Sequence, residues 1–106
     1  MYIHTYIIKM RFTWDHGKSE ANFRDRGFDF EFAALIFDGP VLMVEDTRRD
    51  YGERRFVAIG LADRLCLTVV FTNRPGSKSE NHRRIISARR SNRKERKLYD
   101  QAFKQT

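Results

Sequence analysis

Residues 54–71, RRFVAIGLADRLCLTVVF, contain two runs of strand-forming residues separated by one polar interruption. Valine, isoleucine, leucine, phenylalanine and threonine dominate, and β-branched and aromatic side chains suit a pleated, half-buried surface. In the second run Leu65, Leu67, Val69 and Phe71 alternate onto one face, and Cys66, Thr68 and Val70 onto the other. Both faces are largely apolar, which predicts a central strand. The runs read as a hairpin joined at Ala62-Asp63. Two-residue hairpin turns do not favour that pair, which allows a longer loop.

Outward from the hairpin, the chain alternates strands and helices without an internal repeat. Residues 2–14, YIHTYIIKMRFTW, predict a strand with a break near Met10. Asp15 is a helix N-cap, the helix runs over His16–Arg26, and Gly27 stops it. Asp29 caps a second helix, on which Phe30, Ala33, Ala34 and Phe37 form an apolar stripe at helical spacing. Asp38-Gly39-Pro40 ends it, and residues 41–45, VLMVE, form a short strand. Residues 73–82, NRPGSKSENH, form a loop, and 83–89, RRIISAR, the last strand. Ser91 or Asn92 caps a final helix to about Phe103, and Asn92 with Glu95 has capping-box spacing. The order predicts a single α+β domain over 1–106, with helices on one sheet face and the other face partly open.

Charge is concentrated in one place. The chain carries a formal net charge of +7. Residues 83–97, RRIISARRSNRKERK, hold eight basic residues and one acidic residue, Glu95, which accounts for the whole excess. The remainder is balanced, with 13 basic and 13 acidic residues. Such a segment suits a phosphate-rich partner such as nucleic acid. The single cysteine, Cys66, excludes an internal disulfide and a cysteine-cluster metal site. His4, His16 and His82 have no metal-ligand spacing, so no cofactor is expected. No apolar run is long enough to cross a bilayer, and the start does not have the form of a signal peptide, so a cytoplasmic protein is expected.

Four pieces, in order, carry a family resemblance: FTWDHGKSEANFRDRG at 12–27, FDFEFAALIFDGP at 28–40, YGERRFVAIG at 51–60 and RRIISARRSNRKERKLY at 83–99. Together they resemble the BrnT family of toxins over residues 10–100. Residues 1–9 lie outside the resemblance, as an extra strand or an extension from an upstream start. The resemblance implies a RelE-like fold, an antiparallel sheet of about four to five strands with two N-terminal helices and one C-terminal helix. It implies a ribonuclease, part of a type II toxin–antitoxin pair, that cuts RNA and inhibits translation and growth. The implied partner is an antitoxin resembling BrnA, with a ribbon-helix-helix DNA-binding part, and operator DNA is bound only through that complex. The family's usual Lys-His-Gly at the end of the first helix is Asp25-Arg26-Gly27 here, so Arg26 stands in the histidine's place as a supporting residue.

Metal-independent cleavage by the 2′-hydroxyl needs a base, a cationic clamp for the phosphorane and an acid for the leaving oxygen. Arginine suits the clamp, because its planar fork holds two phosphoryl oxygens. Arg89 and Arg90 alternate at the strand end, so one or the other is expected to grip the scissile phosphate. Lys18 joins the site on the resemblance. Glu53 is the candidate base, and Arg55, two residues on, holds it or the phosphate. Glu95 and Tyr99, one helical turn apart, orient the arginines. Arg83, Arg84, Arg93 and Lys94 guide the RNA backbone. His82 becomes the candidate acid if it faces the sheet. The alternative from another class is a non-catalytic nucleic-acid-binding or protein-interaction module using the basic 83–97 face.

Overall fold

The hairpin forms the middle of a five-stranded sheet in the computed structural model, which describes residues 10–74 and 82–103. Its strands are β3, Arg55–Ala62, and β4, Leu65–Asn73. The turn is Asp63-Arg64, one residue later than expected, because Ala62 pairs with Leu65. Both turn residues have positive φ, 47° and 69°. That geometry matches the right-handed twist of the flanking strands. Aspartate tolerates it, whereas arginine adopts it against a steric clash.

The remaining strands are β1, Arg11–Trp14, β2, Leu42–Asp46, and β5, His82–Arg90, in the order β1-β5-β4-β3-β2. The sheet is mixed and not wholly antiparallel. Strand β1 lies parallel to β5, with Phe12 opposite Arg83 and Trp14 opposite Ile85. The expected strand over residues 2–14 is described only from Arg11, and the part before residue 10 lies outside the described residues.

Helix α1, His16–Arg26, begins where the Asp15 carboxylate accepts from Lys18 N and ends at Gly27, φ 87°. Helix α2, Phe30–Ala33, is capped by Asp29 and tightens into a 3₁₀ turn over Ala34–Asp38. Gly39 is extended ahead of Pro40, as the proline ring requires. The tightening changes the buried stripe. Phe30, Ala33 and Ile36 are buried at a spacing of three, while Ala34 and Phe37 are only half-buried. These residues pack on Ala58, Leu67, Val69 and Phe71 to form the core.

Helix α3, Arg93–Ala102, carries the expected capping box between Asn92 and Glu95. It departs from the expectation that all helices share a face. Ser91 Oγ lies 2.8 Å from Thr68 Oγ1, and Glu95 bonds Arg89, the register partner of Thr68. Thr68 points away from Leu67 and Val69. The start of α3 therefore anchors on the face opposite the core, closing one end of it.

At Gly60 strand β3 passes close beneath the 3₁₀ turn. A Cβ there would lie 2.9 Å from Ile36 Cβ and 3.0 Å from Val41 Cγ1. We predict that Gly60→Ala lowers the stability read from urea unfolding by about 1–3 kcal/mol, because neither neighbour can withdraw without opening the core. Arg64→Gly removes the clash in the turn and raises stability by about 0.5–1 kcal/mol on the same scale.

Candidate functional site

The β4–β5 ladder contains one irregularity. Phe71 pairs with Ile85 and Val70 with Ser87, so Ile86 is an extra residue on β5. An extra residue inverts the alternation of side chains beyond it. Arg84, opposite Thr72, and Arg89, opposite Thr68, consequently share the face away from the core although an odd number of positions separates them. Arg83, opposite Asn73, and Arg90, opposite Leu67, take the other face.

The first arginine pair is thus split. The Arg83 guanidinium stacks 4.9 Å from the Phe37 ring centre and 4.8 Å from that of Phe71. Its Nε is buried without a hydrogen-bond partner among the described residues, and burial pushes the guanidinium pKa down. Arg83 is a packing cation and is not placed with Arg84 as a backbone guide.

On the open face, Thr13 pairs with Arg84, Arg84 with Thr72, and Arg55 with Asp46. Phe56 pairs with Phe71, so Arg55 stands level with Thr72. The result is a row across the sheet: Thr13, Arg84, Thr72, Arg55, Asp46. Thr72 Oγ1 donates to Arg54 O at 2.7 Å, which ties β4 to the start of β3. Arg55 is held on several sides. Its Nε donates to Glu53 Oε1 at 3.3 Å, and its guanidinium lies 4.2 Å over the Tyr51 ring. Tyr51 in turn donates its hydroxyl to Asp46 Oδ2 at 3.0 Å. The Asp46 side chain is 4% exposed. The bidentate Arg48 guanidinium, the Arg48 backbone N–H and the Tyr51 hydroxyl hold its carboxyl well below the usual carboxylate range. The Glu53–Arg55 pair expected from sequence is therefore present and fixed by its neighbours.

Arg89 is also on this face, but its fork is occupied. Nη1 and Nη2 donate to the two oxygens of Glu95 at 2.7 and 2.8 Å. Glu95 Oε1 also accepts the Asn92 N–H at 2.8 Å. Glu95 raises the Arg89 pKa, and the like charge of Arg48 opposes it. Arg89 with Glu95 fastens α3 to the sheet. Tyr99 does not orient the arginines. Its hydroxyl donates to Pro40 O at 2.9 Å and its ring packs on Phe103. Arg90, Arg93 and Lys94 are exposed around the start of α3.

Lys18 and Arg26 lie elsewhere, on α1. They line a shallow depression with Asn22, Asp25, Ile86 and Ser87. Arg26 Nη1 donates to Asn22 Oδ1 at 3.1 Å and to Ala88 O at 2.7 Å. The structure thus puts Arg84 and the Glu53–Arg55 pair in one row across the sheet, with Thr72 between them, and places Lys18 and Arg90 apart from it. Sequence reasoning missed Asp46, Arg48, Tyr51 and Thr13. Thr13 owes its place to a pairing between strands, and Asp46, Arg48 and Tyr51 to the way the polar loop after β2 folds back on that strand. Among the described residues, no group of three His, Cys, Asp or Glu side chains is arranged to hold a metal, and no helix is long and apolar enough to cross a membrane.

Comparison with known proteins places this geometry in context. Residues 14–95 match the family described as "Ribonuclease toxin, BrnT, of type II toxin-antitoxin system". The fold is similar to the 1.1 Å crystal structure of the Brucella abortus ribonuclease toxin BrnT, with a TM-score of 0.53 and 24% identity. That match covers 80% of this chain and 100% of the Brucella chain. No curated protein matches the chain.

The Arg89–Glu95 pair makes a pH-dependent contribution to stability. Arg89 and the Asn92 N–H lower the Glu95 pKa from 4.5 in the folded state. A lowered folded-state pKa adds stability that is complete above the unfolded value and is lost as pH falls through the folded one. Glu95→Gln should cost about 1 kcal/mol near neutral pH. Urea unfolding from pH 7 to 3 should show wild type and variant converging below about 4.5.

Proposed function

The chain belongs to the BrnT family of ribonuclease toxins of type II toxin–antitoxin systems, and from that premise we propose that its open sheet face cuts RNA. The family implies an RNA substrate and an antitoxin partner. In our reading the 2′-hydroxyl attacks the adjacent phosphorus and no metal takes part. The growing negative charge on the phosphorane is met by Arg84 and Arg55. Both stand in one row across β5 and β3 with Thr72 between them, and that row is the observation that carries the proposal.

Neighbouring strands are about 4.8 Å apart, so the two arginines stand about 10 Å apart at their Cα atoms. Two long side chains at that spacing converge on one phosphodiester from opposite sides. Pre-set cations suit a transition state better than cations that must reorganise as charge develops. Arg55 meets that condition, since Glu53, Tyr51 and the Asp46–Arg48 pair fix it. Glu53 is the base for the 2′-hydroxyl proton. Arg89, bound in both directions to Glu95, is assigned to positioning and no longer to the clamp. Arg90, Arg93 and Lys94 steer the RNA backbone from the rim. Cleavage inhibits translation and growth in the cytoplasm. The cognate antitoxin, with a ribbon-helix-helix part that carries the pair to operator DNA, covers the arginine face.

The test uses purified protein and RNA in a buffer containing EDTA, with induction in cells alongside. Arg84→Ala and Arg55→Gln should each slow cleavage by roughly 10²–10³-fold and abolish growth arrest, with an unchanged unfolding midpoint. Continued toxicity of a folded Arg84→Ala variant defeats the site assignment. Wild-type protein that binds RNA without cutting it is instead a non-catalytic binding module.

A further inference from the structure

We propose that His82 is the proton donor to the leaving oxygen in this cleavage, with Thr13 as the residue that positions its ring. The inference rests on the ribonuclease reading above and names a residue for a step that reading leaves without one.

The argument starts from strand direction. His82 opens β5, and in the parallel β1–β5 ladder it pairs with Arg11 while Arg84 pairs with Thr13. Alternation puts His82 and Arg84 on one face, opposite the face of Arg83 and Ile85. The side chains agree, for Thr13 Oγ1 lies 2.7 Å from His82 Nε2. The ring is half-buried and its Nε2 is engaged by Thr13, which assigns Nδ1 to the substrate.

Its position relative to the base follows from the ladder. Arg74 N donates to His82 O at 2.8 Å, so β4–β5 bonding continues to this point. Strands β3 and β5 are both antiparallel to β4, so they start at the same end of the sheet. His82 stands one pleat, about 7 Å, beyond Arg84 on β5. Glu53 lies in the bend just ahead of β3, where its carboxylate accepts from Arg55 Nε at 3.3 Å. Arg55 is level with Arg84 across β4, so the carboxylate and the imidazole belong to the same end of the sheet, on the two sides of β4. A phosphodiester between them has a proton acceptor on one flank and a donor on the other.

The step balances within these groups. The O2′–P bond forms as the P–O5′ bond breaks. The Glu53 carboxylate takes the 2′-hydroxyl proton, and the His82 imidazolium gives a proton to O5′. The products are a 2′,3′-cyclic phosphate and a 5′-hydroxyl. Nε2–H rests on the Thr13 hydroxyl and turns Nδ1–H toward the substrate.

The decisive experiment compares an oligoribonucleotide with its analogue in which sulfur replaces the bridging 5′-oxygen. A thiolate leaves without protonation, so a missing acid matters only for the oxygen substrate. His82→Ala should cut the ordinary RNA roughly 10²–10⁴-fold more slowly than wild type and the sulfur substrate at near the wild-type rate. Thr13→Val should lower kcat on ordinary RNA at unchanged KM and leave the sulfur substrate unaffected. Arg84→Ala should lose both substrates. An unimpaired His82→Ala enzyme, or equal loss on both substrates, overturns the assignment while the ribonuclease reading stands. If wild type cuts neither substrate, the ribonuclease reading itself has failed, and this assignment falls with it.

Discussion

Backbone hydrogen bonding between β4 and β5 accommodates one unpaired residue at Ile86, and the aim of every arginine on β5 follows from it. In a regular strand Arg84 and Arg89 would point to opposite faces. The bulge brings both to the open face and sends Arg83 and Arg90 to the other. It also keeps Ile85 and Ala88 facing the core, so the apolar anchoring of the strand survives the change of parity. A shift of one residue in either direction would bury a charged row and expose an apolar one, which pins the register firmly.

The sheet's charges are mostly paired. On the open side Asp46 with Arg48, Glu53 with Arg55, and Glu95 with Arg89 are each within bonding distance, and Glu45 with Arg54 pairs on the core side beside Phe56. Most are exposed on at least one side, so their net effect on stability is small. Their effect on direction is larger. A guanidinium bonded to a fixed carboxylate cannot sweep through rotamers, and a Tyr51 ring beneath Arg55 limits it further. The acidic partners therefore give up some attraction for phosphate and give the cations defined positions. The formal excess of +7 is shared between the arginines of β5 and the start of α3, where Arg93, Lys94 and Lys97 are exposed.

Local chemistry was readable in the chain, and long-range pairing was not. Asp15, Asp29 and Asn92 accept the N–H bonds expected of helix caps, and Gly27 takes the left-handed conformation expected of a helix stop. Each depends on residues within four positions of itself. The same is true of Glu53 and Arg55, which lie two residues apart and pair across the bend that leads into β3. The parallel β1–β5 pairing joins residues some seventy positions apart, as Thr13–His82 shows, and no composition rule proposes it. The bulge is equally silent, since Ile85-Ile86 reads as an ordinary apolar pair. For that reason sequence directed attention to Arg89-Arg90, whereas the assembled sheet directs it to Arg84 and Arg55. The Asp46–Tyr51 contact depends on how a polar loop folds back on a strand, which its composition leaves open.

Strand β1 stops at Trp14, level with Ile85, so among the described residues the rest of β5 has no strand on its outer side. An unpaired edge of this kind is a template on which sheets of separate molecules join. Arg26 takes the Ala88 carbonyl out of that template, and the adjacent Arg89 and Arg90 repel the same segment of a second copy. The charge offered here to an RNA in the proposed reading thereby also resists fibre-like growth of the chain upon itself. A substitution that neutralised this strand would trade RNA affinity and colloidal behaviour together.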